Sequence, residues 1–160
     1  MILKNIYSDL NYCVRMQSCI SFLAELHGFD ITSEEDYLLL KLNDLFLPLS
    51  IEKIGRDIIA VKHYFVLNGD IAFDPMIEFL IVPGHSSEAT EWTPISITQY
   101  AAPYIGLPEY RNCLSYNDNP TPKTLTVLDA KLHQDIANLA ENWARNLVLQ
   151  GWIKAYKAET

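Results

Sequence analysis

The chain has 160 residues, 49% hydrophobic, 20% charged and 11% aromatic, with 20 acidic against 12 basic side chains and a formal net charge of −8. These proportions fit one soluble domain over residues 1–160 and exclude a chain that is mainly disordered. No run reaches the roughly 18 apolar residues of a membrane span, Lys4, Asp9 and Arg15 interrupt any leader-like start, and the negative field repels phosphate backbones and anionic lipid. The expected setting is the cytoplasm, with no direct nucleic-acid contact and no membrane contact.

Ser8 is of the residue type that caps a helix, Cys13, Met16, Ile20 and Leu23 follow at steps of three and four, and Gly28 supplies a stop, so the spacing predicts a helix over about 8–27. Ser33-Glu34-Glu35-Asp36 reads as a solvated connector. From Tyr37 to Tyr100 the period becomes two, punctuated by Asn43-Asp44, Gly55-Arg56-Asp57 and Asn68-Gly69-Asp70. Five strands of an antiparallel meander are predicted: Tyr37 to Leu42, Phe46 to Ile54, Ile58 to Leu67, Pro75 to Val82 and Trp92 to Tyr100.

A one-residue slip would turn every side chain over, so the hydrophobic pattern sets the register. It places Leu49 opposite His63, Ile51 opposite Val61, Leu40 opposite Leu47 and Leu38 opposite Leu49. Ile77, Phe79, Ile81, Ile95 and Ile97 join that apolar floor, where His63 is expected as a hydrogen-bonded core histidine. The other face collects Ser50, Glu52, Lys62, Tyr64 and Glu78, with Lys62 flanked by two carboxylates, a combination that shifts pKa values and marks a candidate site.

Residues 101–125 hold Pro103, Pro108, Pro120 and Pro122 and read as an irregular flap, held down by Tyr104, Tyr110 and Tyr116. Thr126 with Asp129 has the form of a capping box. Leu128, Leu132, Ile136, Leu139, Trp143 and Leu147 then make an apolar stripe, and Gly151 stops a helix over about 127–150. The fold class is α+β: a five-stranded antiparallel meander with the N- and C-terminal helices packed on one face, leaving the other for the flap or a partner.

The three cysteines, Cys13, Cys19 and Cys113, lack the paired short spacing of a metal site or a disulfide framework, and Cys13 and Cys19 would point to different sides of one helix. His27, His85 and His133 hold no fixed relation to an acid or nucleophile, so no catalytic set, resident metal or cofactor is assigned. Asn68, Gly69, Asp70 and Asp74 form a candidate functional loop. Its turn geometry accounts for these residue types, and crowded oxygen donors for a hard cation are the alternative.

The segment His63-Tyr64-Phe65-Val66-Leu67-Asn68-Gly69-Asp70-Ile71-Ala72-Phe73-Asp74-Pro75 resembles the core of a family of small uncharacterised proteins encoded on plasmids, phages and integrative elements, which share an Asn-Gly-Asp-x-x-x-Asp-Pro signature. Pro48 to Glu52, Pro94 to Ser96 and Trp143 to Gly151 are similar to the flanking strands and terminal helix of that family. The likeness covers residues 37–152 and leaves out the first helix. After the signature the family continues with an acid and a methionine, where this chain has Met76 and Ile77. The resemblance implies a mobile-element accessory protein.

Charge and pattern together point to a non-enzymatic module that engages a protein through its acidic surface and polar sheet face. A basic nucleic-acid-handling protein is the partner such a surface suits. A small metal-assisted enzyme or ligand-binding domain centred on Asn68 to Asp74 is the second reading. A homodimer through the uncovered sheet face is the third.

Overall fold

The structure is a computed structural model that describes residues 9–67, 69–83, 90–102, 107–117 and 124–153. Helix α1 (Val14–Leu26) is followed by strands β1 (Asp36–Leu40), β2 (Leu49–Lys53), β3 (Ile58–Leu67), β4 (Asp70–Pro83), β5 (Thr90–Ala102) and β6 (Leu107–Asn112). A hairpin of β7 (Leu114–Asn117) and β8 (Thr124–Val127) leads into helix α2 (Ala130–Leu149). The first six strands form one antiparallel sheet in sequence order, and β7 with β8 forms a separate two-stranded sheet. The fold is α+β as expected, but the meander has six strands rather than five.

The additional strand comes from the supposed flap. Leu107–Asn112 pairs with β5, with Ile97 opposite Arg111 and Thr98 opposite Tyr110. Four successive exposed side chains, Glu109 to Asn112, and Pro108 hide such an edge strand from a hydrophobic-period reading. Beyond it, the β7–β8 hairpin sits by the Gly55–Ile58 turn, where the Tyr116 hydroxyl donates to Asp57 Oδ2 at 3.0 Å. Tyr110 is exposed, and Tyr104 lies outside the described residues.

Leu49 faces His63 and Ile51 faces Val61, as the pattern requires. In the first hairpin Leu40 pairs with Leu49 and Leu38 with Ile51, not with Leu47 and Leu49. The connection is longer than a tight turn: Asn43 Oδ1 accepts from the Leu45 amide at 2.8 Å, and the second strand starts only after Pro48. The displacement is two residues, so each side chain keeps its face.

Two bulges keep one face dry. Lys62 pairs with Met76 but Tyr64 with Phe73, so Asp74 and Pro75 together stand against His63 alone. Pro75 has no amide hydrogen to offer a ladder, which suits it to this position. Likewise Glu78 pairs with Ser96 but Phe79 with Pro94, leaving Ile95 as the extra residue. That insertion lets Trp92 and Ile97 share a face despite their odd separation. Val61, Ile77, Phe79, Trp92 and Ile97 are buried, and the Phe79 and Trp92 rings lie 5.7 Å apart.

Helix α2 closes this floor through polar as well as apolar contacts. Trp143 Nε1 donates to His63 Nε2 at 3.2 Å, so His63 Nδ1 carries the hydrogen given to the Pro48 carbonyl at 3.2 Å. His133 holds the opposite tautomer. The Thr93 hydroxyl donates to the Asn11 carbonyl, His133 Nε2–H donates to Thr93 Oγ1 at 2.8 Å, and His133 Nδ1 accepts from Asn11 Nδ2 at 3.0 Å. Burial is the main cause that lowers the pKa of both histidines.

The helix caps differ from the sequence expectation. The N-cap of α2 is Asp129, whose carboxylate accepts from the Leu132 amide at 3.0 Å, while Thr126 belongs to β8 and Leu128 is exposed before the helix. Ser8 lies outside the described residues, and α1 starts at Val14 after Cys13, with no side-chain cap of its own. A carboxylate from α2 replaces it: Glu141 accepts from the Arg15 amide at 3.1 and 3.0 Å and from the Met16 amide at 3.2 Å. The glycine stops hold, with Gly28 at φ 66° and Gly151 at φ 93°.

Replacing Glu141 by alanine removes the one side chain that, among the described residues, bonds to those α1 amides, and a loss of about 1–2 kcal/mol in urea unfolding is expected. A second expectation concerns pH. Because His63 and His133 have lowered pKa values in the native state, the unfolded chain takes up protons first as pH falls below about 6.5. Stability is full above that value and declines toward pH 5, by up to about 1.4 kcal/mol per pH unit for each histidine that remains neutral in the fold. Urea midpoints at pH 7.5 and 5.5 read the decline.

Candidate functional site

On the face opposite the floor, the strand register arranges side chains in two rows. One row runs Tyr37, Glu52, Ala60, Glu78 and Ser96, and the next runs Leu39, Ser50, Lys62, Met76 and Thr98. The small Ala60 stands at the middle of the first row, between the two glutamates, and Lys62 is its neighbour in the second row. Lys62 Nζ meets Glu52 Oε2 at 2.7 Å and stands 4.3 Å from the centroid of the Phe73 ring. Phe73 reaches this face because the Asp74-Pro75 bulge reverses the parity of β4.

The Lys62 side chain is only 11% exposed while its partner Glu52 is 40% exposed. A buried ammonium held by one carboxylate and one aromatic face is fixed in position, and Glu52 keeps part of its charge turned outward. Glu78 is held differently. Burial raises its pKa, opposed by a hydrogen bond from Ser96 and by the Lys62 charge, with Glu52 adding a smaller upward push. Glu52, Lys62, Tyr64 and Glu78 therefore share one face, as the sequence pattern predicts. The ion pair joins Lys62 to Glu52; Glu78 turns to Ser96.

Tyr37, Leu39, Ser50, Glu52, Lys62, Tyr64 and Phe73 line a depression of about 300 Å³. Tyr37 and Leu39 belong to the edge strand β1 and are 69% and 52% exposed. The sequence reading missed both, although the alternation of Leu38 and Leu40 into the floor already sends Tyr37 and Leu39 the other way. Next to the depression, and sharing Glu52 with it, is a cleft of about 690 Å³ lined by Glu34, Glu35, Glu52 and Asp57 together with Lys53, Arg56 and the Gly55 turn. Arg56 pairs with Glu34 at 3.0 Å. Lys53 is buried on the floor side and donates to the Arg56 carbonyl at 2.6 Å, its pKa lowered chiefly by burial.

The second candidate, the loop from Asn68 to Asp74, is only partly described. Asn68 lies outside the described residues, Gly69 turns the chain at φ 85°, Asp70 opens β4, and the Asp74–Pro75 peptide is cis. Among the described residues, no group of three or more His, Cys, Asp or Glu side chains is placed to hold a metal ion. All three cysteines are buried and free. Burial pushes Cys19 and Cys113 to about 11 and raises Cys13 as well, so the thiols stay protonated at neutral pH. No helix among the described residues is long and apolar enough to cross a membrane.

The sequence profile of a domain of unknown function, DUF6908, matches residues 18–153. The chain belongs to this family. No curated protein and no solved structure matches it. The DUF6908 region begins inside α1, so it includes most of the helix that the resemblance at residues 37–152 left out. It also contains the whole sheet, the Lys62–Glu52 pair and the acid-lined cleft.

Because Glu78 has a raised pKa in the fold, its ionisation opposes folding above the unfolded value and has no effect well below it. Glu78→Gln is therefore expected to raise stability at pH 7.5 by about 0.5 kcal/mol, a figure reduced for partial exposure, with no gain near pH 4. Denaturant unfolding at the two pH values measures it.

Proposed function

We propose that this DUF6908 protein is a non-enzymatic interaction module that holds an extended, basic segment of a protein partner along the β1 edge of its sheet. The observation that carries this reading is the exposed pair Tyr37 and Leu39 on the edge strand, set in the same rows as Glu52 and Lys62 and beside the acid-lined cleft. An edge strand offers one row of backbone donors and acceptors to an incoming strand, and alternate side chains of that strand then fall on one face. Here apolar side chains meet Tyr37, Leu39 and Phe73, while lysines or arginines meet Glu35, Glu52 and the −8 field of the whole molecule.

A fixed Lys62–Glu52 pair suits such a face better than it suits acid–base chemistry. The ammonium is neutralised and covered, and Glu52 accepts a second cation on its outward side. The buried cysteines and the fully engaged His63 and His133 supply no nucleophile or base to this depression. The charge of the surface favours a basic nucleic-acid-handling protein as the partner class. The resemblance of the segment from His63 to Pro75 supports a role as an accessory of a mobile genetic element in the cytoplasm.

Titration of the full chain with a peptide of alternating lysine and valine, followed by amide NMR shifts, tests the reading. Saturable shifts on β1 and β2 are expected, with affinity falling about tenfold in Tyr37→Ala and again in Glu35→Lys, and falling with added salt. Absence of shifts at about 1 mM peptide, or shifts indifferent to both substitutions, rejects the β1 edge as the contact surface.

A further inference from the structure

A second surface has the opposite character. Helices α1 and α2 lie side by side and run in step, since Asn11 meets His133 and the Arg15 and Met16 amides meet Glu141. Between them opens a groove of about 560 Å³ that shares no residue with the sheet depression. Phe22, Ala144 and Ile153 contribute to its trough. Val14, Val148 and Leu149 line it as well and are 62%, 52% and 77% exposed, although the core is already filled on this part of α2 by Leu147. Aliphatic side chains left in water around a groove mark a surface made for contact.

Its charge is just as unusual for this chain. Arg15 and Arg145 stand one on each wall, and no ion pair joins either guanidinium to a carboxylate among the described residues. Glu141 is one helical turn from Arg145 and would ordinarily neutralise it. It is instead committed to the α1 amides, where its two oxygens accept from Arg15 and Met16. The same bond that caps α1 thus leaves a cationic, apolar groove on a molecule of net charge −8.

A trough between two adjacent helices accepts the ridge of a third. Residues 1–8 carry Lys4 alone and residues 154–160 carry Lys154 and Lys157 against Glu159, so neither segment brings the complementary charge. A second copy joined groove to groove would bring its own arginines against these. A simple alkyl carboxylate would satisfy the guanidiniums and leave Val14 and Leu149 in water. We infer that the α1–α2 groove docks an acidic amphipathic helix of a partner protein, with apolar side chains in the trough and carboxylates on Arg15 and Arg145.

The test uses the full chain and a fluorescein-labelled peptide of about 18 residues, helix-favouring, with leucine at helical spacing on one side and glutamate beside it. Fluorescence anisotropy is expected to show saturable 1:1 binding, weakened about tenfold or more by Arg15→Glu with Arg145→Glu and by Leu149→Asp, and absent when the peptide glutamates are replaced by lysine. These positions are on the surface, and an unchanged unfolding midpoint shows that each variant folds. No saturation up to about 1 mM, or equal binding by all variants, overturns the inference. So does sedimentation showing self-association that Leu149→Asp abolishes, which assigns the groove to a second copy. Binding of dodecanoate with the peptide silent assigns it to a small amphiphile and overturns the inference equally.

Discussion

A long antiparallel sheet has one dry face only while its side-chain alternation stays in phase, and in this molecule two single-residue insertions restore that phase. Without the extra residue at Asp74-Pro75, Phe73 and Glu78 would point to opposite faces; without Ile95, Trp92 and Ile97 would do so. Both bulges fall on β4, as the insertion itself or as its pairing partner, so β4 determines what the remaining strands present. The floor under α2 and the paired Lys62 and Glu52 above it follow from the same two irregularities.

The helices are then attached to this sheet by groups that act at a distance in sequence. Trp143 and His63 are 80 residues apart, Thr93 and His133 are 40 apart, and Arg15 and Glu141 are 126 apart. Each bond satisfies a buried or terminal polar group that would otherwise cost about 1–3 kcal/mol. The histidine contacts also fix a tautomer: His63 accepts from Trp143 only with its hydrogen on Nδ1, and His133 accepts from Asn11 only with its hydrogen on Nε2. Helix docking is consequently specific as well as apolar. A helix shifted by one turn would keep much of its greasy contact and lose all three bonds.

Local pattern made much of this legible and stopped where partners are remote. The β2–β3 register, the apolar floor, the grouping of Glu52, Lys62, Tyr64 and Glu78 and both glycine stops follow from alternation and turn chemistry. The Leu40 register failed because the length of the connection at Asn43 is set by a side-chain turn and by Pro48, not by strand pattern. Strand β6 failed because an edge strand with exposed Tyr110 and Arg111 carries no apolar period. The cap of α1 could not be found locally at all, since its acceptor is Glu141 on the other helix. Lys53 is the counterpart among charges: it stands in a floor position and is tolerated there because its ammonium reaches the Arg56 carbonyl.

Commitment of charge inside the fold shapes the outside as well. Lys62 is paired with Glu52 and covered by Phe73, and Lys53 is buried with its ammonium on the Arg56 carbonyl, so neither base stands exposed among the acids of the β1 edge. Across the molecule, Glu141 is drawn to the α1 amides and leaves Arg145 without its natural neighbour on the helix. Bonds needed for folding thus sort the surface charge, with acids beside exposed Tyr37 and Leu39 and arginines beside exposed Val14 and Leu149. Two surfaces of opposite sign, each with its own apolar contact area, would select against one another's proposed ligands, because a basic strand would be repelled by one and an acidic helix by the other. On the two proposed readings, one chain of this size would hold two partners apart and near each other at once, without any moving part.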